Sequence, residues 1–96
     1  MYTKEMIISK LMEIKPKLLE RYPICELGLF GSYASGENKS NSDIDILVDF
    51  NQAVGIGFIH LAHDLEDAFN IKVDLVSRRG IKAKYLHSVE KNLIHV

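Results

Sequence analysis

From Lys4 to Tyr22 the apolar residues Ile7, Leu11, Ile14, Leu18 and Tyr22 recur at steps of three and four, the spacing of one helix face. Thr3 stands where an N-cap is wanted, and Pro16 predicts a kink or a restart within the run. In 24-ICELGLF-30 the period drops to two, with Cys25, Leu27 and Leu29 sharing a face. Gly31 ends that strand. A short helical turn over Ser32 to Ser35, closed by Gly36, and a polar loop 37-ENKSNS-42 follow. The segment 43-DIDILVDF-50 is again a strand, its even positions uniformly apolar. Past Gly55 and Gly57, the residues Phe58, Leu61, Ala62, Leu65 and Phe69 keep helical spacing. Strand 71-IKVDLV-76 places Ile71, Val73 and Leu75 on one side, 81-IKAKYLHSVEKN-92 reads as a helix, and LIHV as a short terminal strand.

This order predicts one α/β (α+β) domain over residues 1–96, a small mixed β-sheet with helices mainly on one face. With 47% apolar and 26% charged residues, the composition is that of an ordinary globular chain. No apolar run approaches the roughly 20 residues of a membrane span, and the N-terminus lacks a signal-peptide core, so the expectation is cytoplasmic with no membrane partner. A formal net charge of −1 argues against gripping nucleic acid directly by bulk electrostatics. The lone Cys25, inside an apolar run, is expected to be a small core residue. At 96 residues the chain is too short for a separate domain holding a large substrate, so the acceptor of an enzyme this size is expected to come from another molecule.

The strand phases carry the chemistry. Asp43, Asp45 and Asp49 occupy odd positions against an even apolar set, while Asp74 is even between Val73 and Leu75. If each strand packs its apolar side on the helices, Asp43, Asp45 and Asp74 all project from the opposite face of the sheet. Crowded carboxylates repel and must take up protons or cations. A donor set of oxygens alone suits hard ions, Mg²⁺ or Mn²⁺, and two such ions form the clamp used for in-line phosphoryl and nucleotidyl displacement. Gly31, without a Cβ, lets the backbone approach a phosphate, the turn after it offers free N–H groups, and the Ser32 hydroxyl adds a donor.

Gly31-Ser32, ten residues, then Asp43-Ile44-Asp45 resembles the GS-x10-D-x-D signature of the polymerase-β-like nucleotidyltransferase superfamily. The short chain, the phrases LFGSYASG and SDIDILVDF, and the third carboxylate in KVDLVS narrow this to a resemblance to the minimal nucleotidyltransferase (MNT) antitoxins of HEPN/MNT toxin–antitoxin systems. The resemblance implies ATP as substrate with two Mg²⁺ ions, and transfer of AMP to a hydroxyl, a tyrosine in some members, of a cognate HEPN-type toxin. Carried over by motif position, Gly31 and Ser32 hold the triphosphate, Asp43 and Asp45 ligate both metals, and Asp74 completes the first metal site and helps activate the acceptor. One position departs from the pattern. Many relatives carry arginine where this chain has Ser35, and Lys39 in the next loop is a candidate to supply the missing charge.

Two rival functions use the same residues: an antitoxin that neutralises its partner by covering it without chemistry, and a transferase for a small hydroxylated molecule of aminoglycoside type. The sequence leaves homo- or hetero-oligomerisation open. HLAHDLED, with His60, His63, Asp64 and Asp67, has metal-like spacing but is expected to be a solvated helix face. Asp49 is expected at a strand end or a partner contact, and Arg78, Arg79, Lys82 and Lys84 as an exposed basic cluster at a helix start.

Overall fold

The structure, a computed structural model, describes residues 2–96. Helix α1 (Lys4–Arg21) begins where Thr3 Oγ1 accepts from the Met6 N–H at 3.1 Å, and it buries Ile7, Leu11 and Leu18. It runs through Pro16 as one helix, so the expected restart is absent. The reason is position: Met12 and Pro16 are both exposed, so the carbonyl that loses its helical partner lies on the wet face. The chain continues as β1 (Ile24–Phe30), α2 (Gly31–Ser35), β2 (Ile44–Phe50), α3 (Gly57–Phe69), β3 (Val73–Ser77), α4 (Ala83–Glu90) and β4 (Ile94–His95). The expected order holds, with β2, β3 and α4 starting one or two residues later than the sequence pattern placed them.

The four strands lie in the order β3-β2-β1-β4. β1 is antiparallel to both neighbours, while β2 and β3 are parallel with α3 as the crossover between them. One face of this mixed sheet carries Leu27 and Leu29 of β1, Ile44, Ile46 and Val48 of β2, and Val73 of β3. These pack against Ile7, Leu11 and Leu18 of α1 and Leu61, Leu65 and Phe69 of α3.

Cys25 is exposed, contrary to the alternation of its strand. Ile24 pairs with Phe50 and Glu26 with Asp49, so Cys25 is the extra residue of a bulge. The bulge shifts the phase by one, and Ile24 takes the core position instead.

The second face is less open than strand phase alone suggested. Leu47 points there and is fully buried, as is nearly all of Val89 on α4, and both lie outside the main core. Gly28 packs closely under the C-terminal segment: a Cβ there would meet Leu93 Cδ1 at 2.7 Å and the Ile94 carbonyl oxygen at 3.1 Å, so Leu93 would have to shift. Beyond Gly28 a polar clamp holds the elements together. Glu26 accepts from Arg78 Nε at 2.6 Å and Nη2 at 2.8 Å, and its Oε2 lies 2.7 Å from His95 Nε2. Arg78 also reaches Glu90 of α4 at 3.6 Å. Arg79 lies 3.3 Å from Asp49 and donates to the Phe50 carbonyl at 2.9 Å. Asp49 is therefore satisfied within the chain, and two of the four residues expected as a basic cluster are spent on internal pairs.

The hydrogen bonds from Arg78 hold the Glu26 carboxyl down to about 2, against the opposing effect of burial. A carboxylate with a depressed pKa stabilises the fold above its unfolded value and loses that contribution as pH falls through its folded value. Arg78→Met should cost about 1–2 kcal/mol near neutral pH, since the pair is only partly shielded from water. In denaturant titrations the gap from wild type should close between the ordinary carboxylate range and about pH 2. A gap independent of pH would show that Arg78 acts by packing alone.

Candidate active site

Parallel pairing sets Asp45 of β2 directly across from Asp74 of β3. On its other side Asp45 pairs with Phe30, the last residue of β1, so Gly31 follows at the same level of the sheet. The fit there is close: a Cβ on Gly31 would sit 2.1 Å from Asp45 Oδ2. Gly31 also has φ +74°, in the region that side chains avoid. Glycine is thus demanded twice at this position, by backbone conformation and by the neighbouring carboxylate. The turn it opens is α2, stopped by Gly36 at φ +83°, whose N–H returns to the Ser32 carbonyl. Ser35 Oγ donates to that same carbonyl at 3.2 Å.

The three carboxylates are not equivalent. Asp45 is partly buried, Asp74 is exposed on the edge strand, and Asp43 lies just before β2 with its Oδ2 4.0 Å from Lys72 Nζ. Burial first, then the charge of Asp74 and a hydrogen bond to it, then the charge of Asp43, push the Asp45 carboxyl up to about 6. The structure thus brings Asp45 and Asp74 together and leaves Asp43 acting at longer range. Among the described residues no group of three or more His, Cys, Asp or Glu side chains is gathered closely enough to hold a metal ion. Still, the donor set is all oxygen and its central member is held under charge repulsion. Both properties match what a hard divalent cation would bind and relieve.

Two hollows flank the carboxylates. A groove of about 560 Å³ runs between Gly31 and Ser32 on one side and the end of α4 on the other. A second hollow, of about 630 Å³, opens beside Asp43 and is lined by Tyr2, Met6 and Lys72 among others. Lys72 had no signal in the sequence alone: its place beside Asp43 follows from the pairing of Ile44 with Val73, which strand phase does not fix. The wall contributed by α4 had none either, since its placement depends on the whole fold. Lys39 does not line the groove, so the structure gives no support to its standing in at Ser35. His60 and His63 are exposed, and Asp64 is taken by the Tyr22 hydroxyl at 2.5 Å and Arg21 at 2.8 Å. His60, His63 and Asp67 are the solvated helix face expected of them, whereas Asp64 departs from it and ties α3 to the end of α1.

A family model described as a nucleotidyltransferase domain matches residues 11–95. The protein adenylyltransferase MntA of Thermococcus cleftensis is 40% identical, with 100% of this chain and 98% of that protein aligned. Among solved structures, a minimal nucleotidyltransferase superposes with a TM-score of 0.82 at 27% identity, covering 99% of this chain and 97% of the other. The MNT antitoxin complex with the tri-AMPylated HEPN toxin of Shewanella oneidensis gives a TM-score of 0.72 at 27% identity, over 94% of this chain and 71% of that one.

Two substitutions test the geometry. An acid with a raised folded pKa favours the fold when protonated, so stability falls as pH rises through about 6 and stays lower above it. Asp45→Asn should therefore raise stability at pH 7.5 without divalent cations, by about 1 kcal/mol or roughly 4–8 °C in Tm. It should also abolish the wild type's gain on acidification below pH 6. Gly31→Ala should destabilise by about 1–3 kcal/mol in thermal melts through its positive φ and the displaced Asp45.

Proposed function

The chain belongs to the nucleotidyltransferase domain family, and on that footing we propose that it transfers AMP from ATP to a hydroxyl, in the first instance a tyrosine, of a cognate HEPN-type toxin in the cytoplasm, and acts as its antitoxin. The observation that carries this reading is the Asp45–Asp74 pairing set beside the Gly31 cradle. The adenylyltransferase among its relatives and the AMPylated toxin bound to a related fold supply the donor group and the class of acceptor.

Each residue then has a task. Gly31 lets the backbone come close to the phosphates, and Ser32 donates to a phosphate oxygen. Asp43, Asp45 and Asp74 are the groups that would hold two Mg²⁺ or Mn²⁺ ions, which when bound neutralise the triphosphate and lower the pKa of the attacking hydroxyl. In the transfer, the acceptor oxygen bonds to the α-phosphorus, the bond to pyrophosphate breaks, and the hydroxyl proton leaves. In this reading Asp74 helps take up that proton, while bound cations would relieve the repulsion that Asp74 and Asp43 impose on Asp45. No covalent enzyme intermediate is required, since positioning and charge stabilisation carry the acceleration.

The test is the intact mass of the toxin after incubation with this protein, ATP and Mg²⁺. Wild type should add one or more AMP units to the toxin, and mapping should place them on tyrosine. Asp43→Asn combined with Asp45→Asn should lower the rate by at least about a hundredfold. Transfer at the wild-type rate by that double variant would end the proposal.

A further inference from the structure

The groove beside the active carboxylates has two unlike walls. On the turn side, Gly31 and Ser32 offer backbone and hydroxyl groups but no cation. Ser35 cannot add one, and its hydroxyl is turned back to the Ser32 carbonyl. Glu37 on the same rim adds a negative charge. Across the groove stand Ser88, Lys91 and Asn92. Their spacing of three and four puts them on one side of α4, and Lys91 keeps helical dihedrals (φ −55°, ψ −40°), so the spacing persists past the last full turn.

Lys91 is the only cation lining this groove among the described residues. Lys82, Lys84 and His87, at or on α4, do not line it, and three further basic residues face carboxylates. Arg78 is held by Glu26 and Glu90, Arg79 by Asp49, and Lys72 faces Asp43. The residue before Lys91 is Glu90, which Arg78 ties to the sheet at 3.6 Å, so the end of α4 is anchored where it forms the wall.

We infer that Lys91, with Ser88 and Asn92 beside it, binds the outer phosphates of the nucleoside triphosphate across the groove from Gly31 and Ser32. The inference rests on the proposal that the Gly31-Ser32 turn holds that triphosphate. A lysine suits the task as a mobile point charge, and a charge-assisted hydrogen bond to phosphate is among the stronger single contacts available. The contact discriminates by phosphate number. A triphosphate long enough to span from the carboxylates to α4 gains it, whereas a monophosphate does not.

Titration calorimetry with ATP, inorganic tripolyphosphate and AMP tests this on the full chain. Lys91→Met, which keeps the aliphatic stem, should weaken ATP and tripolyphosphate about tenfold and leave AMP unchanged. Lys91→Arg should recover most of the loss, and Lys84→Ala, on the same helix but not lining the groove, should bind ATP as wild type does. Ser32→Ala reports on the underlying proposal. If Ser32→Ala weakens ATP and Lys91→Met does not, the inference falls and the function stands. Equal losses for ATP and AMP in Lys91→Met would also overturn it, by removing the contact from the outer phosphates. If wild type binds neither ATP nor tripolyphosphate, both fall together.

Discussion

Repulsion between carboxylates held at matched positions on adjacent parallel strands is the constraint around which this molecule is organised. The register that sets Asp45 across from Asp74 is not locally chosen, because the two carboxylates repel when both are ionised. It is imposed from the opposite side of the sheet. Ile44, Ile46 and Val73 must face α1 and α3, and a slip of one residue would turn them outward and bury the acids. The hydrophobic core thus holds together charges that would separate if left to themselves. A site that needs cations can be kept ready without them.

Much of this was legible in the chain. Strand phase alone separated Asp45 and Asp74 from their apolar neighbours, and the Gly31-Ser32 spacing to Asp43 indicated which end of the sheet mattered. What phase could not supply was pairing. The offset of β2 against β3 is a tertiary fact, and so is the difference in setting that leaves Asp43 beside Lys72 while Asp45 is half-enclosed. Cys25 shows the limit most clearly: a one-residue bulge inverts every inference from alternation upstream of it, and nothing in ICELGLF announces it. Pro16 is the converse case. A residue with a strong local preference was overridden because α1 is anchored by Ile7 and Leu11 before it and Leu18 after it.

The two ends of the second face divide the work. Near the C-terminal end of β1 the face is acidic and unsatisfied. At the other end Glu26 is bonded by Arg78 and His95, Arg78 also reaches Glu90, and these contacts tie β1, the exit of β3, α4 and β4 into one body. Between them Leu47 is sealed from water, and Gly28 gives Leu93 room to lie flat on the strand. An electrostatically costly region is thereby set on a rigid support, which suits chemistry that depends on positioning.

The bulge at Cys25 has an effect on how copies of this chain meet one another. β4 pairs with Gly28 and Leu29 of β1 and the Val96 N–H reaches the Leu27 carbonyl, so Ile24 to Glu26 form the open margin of the sheet, where a second chain could add itself by backbone pairing. An extra residue there breaks the even ladder of donors and acceptors, and the Glu26 carboxylate stands beside the gap. The irregularity that misled the alternation rule is also a guard against fibril-like stacking.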